Sequence, residues 1–296
     1  MSDQREKEPL LDAVRELRAA KTDKNNTAEI LKEDRYLSGP LPEDEALKKM
    51  RGYSRRGFLL GGAAALIGVF GWRWMPEETK KALLRRTFEF NERVAQVFYR
   101  PGRLAPEFPP EQISPERVNG HIGIEDELDL SKWELRVGGL AGHTGDLVLT
   151  MEDIRALPRT EMTTELKCIE GWSVVVNWAG VRFSDFAAEY APKTRSGRPA
   201  DIANNPQDLP AYVSLVTPGS GYYVGWDMPS ILHPQTLLAY EMNGAPLTPE
   251  HGAPLRLASP AKYGIKQIKR IGRIEFTDER PKDFWAESGY DWYSGH

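Results

Sequence analysis

The stretch "TTELKCIEGWSVVVNW", residues 163–178, has the pattern of a strand, a tight turn and a second strand. Polar and apolar side chains alternate along its first part, Gly171 marks the turn, and a run of valines follows. The stretch also contains Cys168, the one cysteine of the chain. Because a lone cysteine cannot form an intrachain disulfide, Cys168 is a buried apolar residue, a nucleophile or a metal ligand.

Similar short strands continue on both sides of this stretch. The segments "KWELRVGGLAG", "AYVSLVTPG", "APLRLASP" and "IKRIGRIEF" have strand patterns, and Asn243-Gly244 predicts a tight hairpin. Two short helices are predicted, one capped by Thr150 with Asp153 three residues on, the other capped by Ser184. Strands outnumber helices, so the pattern favours an α+β or mostly-β domain over a doubly wound nucleotide fold.

The composition and the missing motifs exclude several classes of function. The chain has 39 Lys and Arg against 43 Asp and Glu, a formal net charge of −4. It therefore lacks the excess of positive charge that is typical of nucleic-acid-binding proteins. The sequence has no phosphate-binding loop, no G-x-G-x-x-G, no H-E-x-x-H and no C-x-x-C-H. Its five histidines are too scattered for a local metal motif, although a catalytic Cys–His pair stays open.

The first quarter of the chain differs in character from the rest. Residues 1–53 are highly charged and poor in aromatic residues, which predicts a largely disordered polar tail. Residues 54–76 begin with "SRRGFLL", which resembles a twin-arginine export signal, and they carry no charge between Arg56 and Arg73. This apolar run approaches the roughly 20 residues that a helix needs to cross a bilayer, with a buried core helix as the alternative.

The end of the apolar run predicts an anchor that stays attached. No small-x-small cleavage site follows it, and Trp72 and Trp74 are typical of a membrane interface. We therefore expect the twin-arginine export machinery to leave the tail in the cytoplasm and residues 77–296 on the periplasmic side of the inner membrane. That route exports folded proteins, so a cofactor enzyme is favoured over a secreted module built on disulfides.

Several motifs occur in an order that resembles one known family. They are "KCIEGWSVVVNW", "YVSLVT", "HPQTLLAYEMNGAPL", "HGAPLRLASPAKYGIKQIKRI" and "ERPKDFW". In this order they resemble the sulfite-oxidase-type molybdopterin-dependent oxidoreductases, and most of all the periplasmic catalytic subunit of the methionine sulfoxide reductase system. The resemblance implies that residues 77–296 form a sulfite-oxidase-like molybdopterin domain with a molybdenum-molybdopterin cofactor.

The resemblance also implies a set of site residues. Cys168 would be the thiolate ligand of molybdenum and a catalytic residue, since a soft thiolate suits this metal. The residues implied to bind the cofactor are Asn91, Thr217, His251, Arg256, Gln267, Ile268 and Lys269. Arg and Lys suit the phosphate of the pterin. The alternative for the basic segment 253–273 is an exposed, charged strand face.

The residues after Cys168 bear on the substrate. Sulfite oxidases carry arginines there, whereas this chain has Glu170 and Trp172, a setting that disfavours an anion and suits a neutral oxo-substrate such as a sulfoxide. In the C-terminal "YDWY", Tyr290 is predicted to lie beside the metal, with Tyr293 as the second choice. Packing within the domain is the alternative for these aromatic residues.

These inferences predict an oxidoreductase that transfers an oxygen atom and two electrons at one molybdenum centre, acting on a small-molecule substrate. The chain shows no motif for a second redox centre, so a membrane b-type or soluble c-type cytochrome is expected as the electron partner. Two alternatives stay open from the sequence: a sulfite dehydrogenase, and a molybdopterin-fold binding module without catalysis.

Overall fold

The computed structural model describes residues 72–100, 102–118 and 120–295. The chain divides into two compact units, Met1–Met75 and Pro76–His296, and every helix and strand named below belongs to the second. Among the described residues, no helix combines the length and the apolar character that crossing a membrane requires. The predicted tail at 1–53 and nearly all of the predicted anchor at 54–76 lie outside these residues, so both stay predictions.

The first sheet has five strands, and the predicted strands around Val137 and Leu215 both belong to it. Its spatial order is β2-β1-β10-β5-β6, with β1 and β10 parallel and every other pair antiparallel. The strands are β1 (Leu135–Gly138), β2 (Leu147–Leu149), β5 (Tyr212–Val216), β6 (Tyr223–Asp227) and β10 (Arg273–Thr277).

The second sheet is built on the opening stretch of sequence. Its long antiparallel hairpin pairs Arg159 with Val181 at one end and Lys167 with Ser173 at the other. The order is β3-β4-β7-β8, and β9 also pairs with β7, on the edge opposite β4. These strands are β3 (Arg159–Lys167), β4 (Ser173–Arg182), β7 (Leu237–Met242), β8 (Ala245–Pro246) and β9 (Arg256–Ala258). Asn243 and Gly244 both have positive φ in the β7–β8 turn, as the hairpin prediction requires.

The helices are short apart from the first. They are α1 (Glu77–Phe98), α2 (Met151–Arg155), α3 (Phe183–Glu189), α4 (Met228–Ile231) and α5 (Phe284–Glu287). The capping box of Thr150 and Asp153 is confirmed at α2. The cap predicted at Ser184 is wrong, because α3 already begins at Phe183. Phe183 is fully buried and its N–H donates to Thr236 O at 2.9 Å, so the chain passes from β4 directly into the helix.

Two apolar cores support the fold, and each contacts the second sheet. The larger core joins side chains of both sheets with α3, including Val137, Phe183 and Trp226. The smaller core contains Leu166, Trp178 and Ala239. Neighbouring residues of β7 alternate between them, Leu237 in the smaller core and Leu238 in the larger. Each fully buried large apolar side chain contributes roughly 1.5–3 kcal/mol relative to exposure. The mixed arrangement confirms the predicted α+β class.

Candidate functional site

Cys168 lies at the turn between β3 and β4, where two backbone hydrogen bonds fix the chain. Its N–H donates to Trp172 O at 2.9 Å, and the N–H of Gly171 donates to Cys168 O at 3.1 Å. Gly171 has a φ of +85°, a conformation that glycine adopts at little cost. The thiol is half-buried at this turn. The turn therefore presents one sulfur at the edge of the sheet in a fixed position.

The side chains around this turn carry one charge of each sign. Trp172 Nε1 donates to Glu170 Oε2 at 2.8 Å, and the guanidinium of Arg117 lies over the Trp172 ring, 4.1 Å from its centroid. Burial raises the pKa of the Cys168 thiol; the Glu170 charge adds to the rise, while the Glu170 backbone N–H and Arg117 oppose it. The setting of the cysteine is therefore close to charge balance, which differs from the purely acidic and aromatic setting that the local sequence predicts.

Arg256 is the centre of a second group of site residues. Its side chain is fully buried, and its guanidinium lies over the Trp178 ring at 4.6 Å. It donates to His251 O at 2.9 Å and more weakly to Gln267 O at 3.4 Å. Burial lowers the pKa of Arg256 to about 10, which still leaves it charged at neutral pH. Arg256 thus holds two other predicted residues in place through their carbonyl oxygens.

Lys269 lies next to this group and is a buried cation without a carboxylate partner in the described part of the chain. Its Nζ donates to the carbonyl oxygens of Gly120 and Glu250, both at 2.7 Å. Burial first and the nearby Arg256 charge second lower the pKa of Lys269 to about 7. Protonation is therefore less favourable in the protein alone than for a lysine in water, and a bound anion would favour it again.

Arg270 extends this basic surface. Its backbone has a φ of +49°, unusual for a residue with a side chain. Its Nη1 donates to Asp126 O at 2.6 Å, while its buried Nε has no hydrogen-bond partner among the described residues. A buried donor left without a partner is costly, so this Nε is suited to an acceptor from a ligand.

The structure separates the six cations between Arg256 and Arg273 into two classes. Three are neutralised by carboxylates: Lys262 with Asp227 at 2.7 Å, Lys266 with Asp283 at 2.6 Å, and Arg273 with Asp146 and Glu275. The other three, Arg256, Lys269 and Arg270, donate only to carbonyl oxygens within the described residues. The exposed strand face considered as an alternative does not describe these three, because all are buried.

A family comparison connects this geometry to a cofactor. The model of the oxidoreductase molybdopterin binding domain matches residues 121–285, more than half of the chain. The chain belongs to this family. It is therefore a molybdopterin-dependent oxidoreductase, and its cofactor is molybdenum-molybdopterin, as the sequence motifs predicted.

Individual relatives cover more of the chain than the family model. A protein-methionine-sulfoxide reductase subunit, YedZ1, of Azospira oryzae is 29% identical over 84% of this chain and 88% of its own length. The protein-methionine-sulfoxide reductase catalytic subunit MsrP of Campylobacter jejuni is 31% identical over 81% of this chain and 80% of its own length. The solved sulfane dehydrogenase SoxCD of Paracoccus pantotrophus aligns with a TM-score of 0.43 and 23% identity, over 52% of this chain and 40% of its own.

The residues present fit a molybdopterin cofactor. The phosphate of the pterin needs cations and donors without other anionic partners, which Arg256, Lys269 and the unsatisfied Nε of Arg270 supply. No group of three or more His, Cys, Asp or Glu within the described residues could hold a metal by itself. A metal that arrives within a cofactor needs few protein ligands, so a single thiolate at Cys168 is compatible with it.

The loop at residues 120–126 packs against two of the predicted cofactor residues, Lys269 and Thr217, and against Arg270. Its Gly120 contacts Lys269, and its Asp126 contacts Arg270, through the hydrogen bonds given above. Gly123 has a φ of +81°, and a side chain there would come within 2.8 Å of Thr217 Cγ2. Thr217 is buried, and its Oγ1 accepts a hydrogen bond from Tyr222 N at 3.1 Å.

The remaining predicted cofactor residues occupy two kinds of position. Gln267 is buried and its side chain donates to the carbonyl oxygens of Ser259 and Lys262. Ile268 belongs to the larger core, and its carbonyl oxygen accepts from Leu257 N at 2.9 Å. Asn91 is exposed on α1 and lines neither of the two cavities described below. Its role in the pterin pocket stays a prediction.

His251 is buried beside Arg256. Its Nε2 lies 3.7 Å from Glu116 Oε2, and burial followed by the Arg256 charge lowers the pKa of His251. The ring is therefore neutral near pH 7, with a nitrogen that can donate to or accept from a ligand. The turn after His251 depends on Gly252, whose φ is +98° and where a Cβ atom would lie 2.7 Å from Lys269 Cβ.

The two C-terminal tyrosines lie in different surroundings. Tyr290 is 46% exposed and packs edge-on against Trp285. Tyr293 is buried, lies over the ammonium of Lys262, and lines both a cavity of about 630 Å³ and a second cavity of about 470 Å³. The larger cavity is also lined by Lys167, the residue just before Cys168.

Sequence reasoning missed the contribution of residues 114–126. The Ser114 N–H donates to Val175 O in β4, and the Val175 N–H donates to Ser114 Oγ. These two hydrogen bonds hold Glu116 and Arg117 beside the site. The segment has no periodic pattern and no motif, so its position follows only from tertiary contacts. Its one available signal was a charged residue, Arg117, in a loop just before the matched domain.

Proposed function

We propose that this enzyme reduces a sulfoxide to a thioether. The reaction consumes two electrons and two protons, breaks the S=O bond and releases the oxygen as water. The observation that carries this proposal is the charge balance at the Cys168 turn, where Glu170 and Arg117 carry opposite charges next to the thiol. A setting without net positive charge favours a neutral oxo-substrate over a dianion such as sulfite.

The relatives support the same substrate class. Two of them are named as protein-methionine-sulfoxide reductase subunits and align with more than four-fifths of this chain. The proposal extends that activity to this chain, including the implied preference for a methionine sulfoxide side chain.

The cavity of about 630 Å³ is proposed as the substrate site. Much of its lining is apolar and includes Phe98, Leu104, Phe108 and Pro260. Such a surface suits the aliphatic part of a sulfoxide substrate. Tyr293 supplies a phenol whose pKa is raised to about 12, chiefly by burial, so it stays protonated and able to donate a hydrogen bond. We propose Tyr293 for the tyrosine role, with Tyr290 as the alternative.

The proposed roles of the cofactor residues follow from their contacts. When bound, the cofactor would supply the two-electron oxygen-transfer chemistry. Cys168 provides the thiolate ligand, and the turn hydrogen bonds orient its sulfur. Arg256, Lys269 and Arg270 hold the pterin phosphate, while His251, Thr217, Gln267 and the backbone of Ile268 shape the pterin pocket. The buried setting of these groups excludes water from the phosphate contacts.

The proposed setting is the periplasmic side of the inner membrane, reached by twin-arginine export with the anchor at residues 54–76 retained. The sequence contains one cysteine and no C-x-x-C-H motif, so the chain itself has no iron–sulfur cluster or c-type haem to supply electrons. We propose a membrane b-type or soluble c-type cytochrome as the donor. The "catalytic subunit" in the names of the MsrP relatives agrees with a separate electron-transfer partner.

Sulfite oxidation is the second candidate, because the structure places a cation where the local sequence has none. Arg117 lies at the Cys168 turn, and Arg100 and Arg103 line the larger cavity. These cations could attract sulfite, which would take an oxygen from water and release two electrons and two protons as it becomes sulfate.

A turnover assay on the holoenzyme tests the choice. Full-length protein is purified from a host that makes the cofactor, and its molybdenum content is measured. Methionine sulfoxide with a reduced viologen dye is compared with sulfite and an electron acceptor. We expect sulfoxide-dependent dye oxidation that is lost together with molybdenum in Cys168→Ser. Sulfite turnover without sulfoxide turnover would overturn the proposal.

A further inference from the structure

Helix α1 has one face that packs on the domain. On this face, Glu92 is buried and pairs with Arg280 Nη2 at 2.7 Å, and Phe88 and Ala95 are half-buried. Just after the helix, the hydroxyl of Tyr99 donates to Pro229 O at 2.9 Å. These contacts fix the rotation of α1 about its axis, so the direction of its other faces is defined.

A second, apolar face of α1 points away from the domain. It consists of Leu83, Phe90, Val94 and Val97, whose side chains are 48%, 65%, 39% and 70% exposed. At 100° per residue these four positions fall in a sector about 60° wide, roughly 160° from the packed face. A continuous exposed stripe of this kind is unusual on a soluble protein and marks a surface that binds an apolar partner.

The border of this stripe is basic. Arg86 and Arg93 lie along one side of it, and neither forms an ion pair within the described residues. The other two cations near the start of the helix, Lys80 and Lys81, are occupied by Glu77 and Glu78. An apolar stripe with arginines along its edge is the pattern of a helix that lies in the interface of an anionic bilayer.

We propose that α1 lies flat on an anionic phospholipid surface, with Leu83, Phe90, Val94 and Val97 among the acyl chains and Arg86 and Arg93 at the headgroups. The sequence before the helix supports a lipid occupant, because the uncharged apolar run ends at Trp72, only a few residues before α1 begins. The inference rests on the proposed membrane location of the enzyme. It adds a second membrane contact, made by α1, to the contact made by the proposed anchor at residues 54–76.

This contact would orient the catalytic domain. Ala95 and Phe98 of α1 also line the cavity of about 630 Å³. A helix held parallel to the membrane would therefore keep that cavity close to the bilayer surface. An electron donor within the membrane would then meet the same side of the domain in every molecule. Productive docking would therefore not require the domain to rotate first into the right orientation.

Photo-crosslinking of the full-length holoenzyme tests the proposal. A benzophenone amino acid replaces Phe90 or Val97, and the matched control positions are Arg85 and Glu89, which are exposed outside the stripe, roughly 150° and 110° around the same helix from its centre. The protein is reconstituted into vesicles of phosphatidylethanolamine with phosphatidylglycerol and irradiated. We expect phospholipid adducts from the two stripe positions and few from the two controls.

Other occupants give different products in the same experiment. Crosslinks from the stripe to residues 1–71 of the same chain, or between two copies, would overturn the proposal, and so would the absence of lipid adducts. A second arm tests the charges: Arg86→Gln with Arg93→Gln should lower the adduct yield in phosphatidylglycerol vesicles but not in pure phosphatidylcholine. Sulfoxide turnover with a soluble dye is measured on every variant, so a failure of the proposed chemistry is seen separately.

Discussion

Replacing Lys269 with methionine should weaken cofactor binding without unfolding the protein. Methionine matches the apolar stem of the lysine side chain but lacks the ammonium that we assign to the pterin phosphate. A charge-assisted hydrogen bond contributes roughly 1.5–3 kcal/mol. Since about 1.4 kcal/mol is a factor of ten, cofactor affinity should fall by roughly tenfold to a hundredfold. The stability of the cofactor-free protein should not fall, because the lowered pKa shows that burial of this lysine is already unfavourable there.

The assay compares molybdenum and pterin content per polypeptide in the purified variant with the wild type, alongside thermal unfolding of the cofactor-free forms. Arg273→Met is the matched control, because Arg273 lies in the same segment but is neutralised by Asp146 and Glu275. Its cofactor content should stay at the wild-type level. Full cofactor content in Lys269→Met, or an equal loss in Arg273→Met, would refute the division of these cations into two classes.

Three further predictions test the surroundings of the site. Lys266→Met should destabilise the protein by roughly 3–5 kcal/mol in chemical denaturation, since it leaves the buried Asp283 without its cation, and adding Asp283→Asn should restore most of the loss. Arg117→Gln leaves the Glu170 charge unopposed, so kcat/KM for sulfite, where detectable, should fall by about tenfold while that for a sulfoxide changes by less than about threefold; equal losses would contradict the assigned charge balance. The cofactor-free protein should become more stable as pH rises from about 7 to about 10. In that window the unfolded chain holds a proton on Lys269 that the folded protein, with a pKa of about 7 against an ordinary 10.5, has released. Denaturant midpoints across this range should show a smaller rise in Lys269→Met, and an unchanged rise would show that other groups cause it.

Local patterns predicted the strands well where side-chain alternation and turn chemistry agree. The β3–β4 hairpin, the Asn243-Gly244 turn and the Thr150–Asp153 capping box were all visible in the sequence and occur in the structure. The cap at Ser184 failed because the burial of Phe183 determines where α3 begins, and burial depends on tertiary contacts. Local propensity decides such a boundary only when packing does not.

Reading the residues in order was enough to predict the family and the cofactor, and to single out Cys168 as the predicted thiolate ligand. These follow from motif order and from the presence of one cysteine, which do not depend on distances. Which cations stay available for a phosphate depends on contacts between elements that are far apart in the sequence. Asp227, Asp283 and Asp146 neutralise Lys262, Lys266 and Arg273 from elements distant in the sequence, and Arg117 reaches the Cys168 turn from a separate loop. The strength of a charge pair depends on the distance between the two charges and on their burial, and local sequence patterns reveal neither.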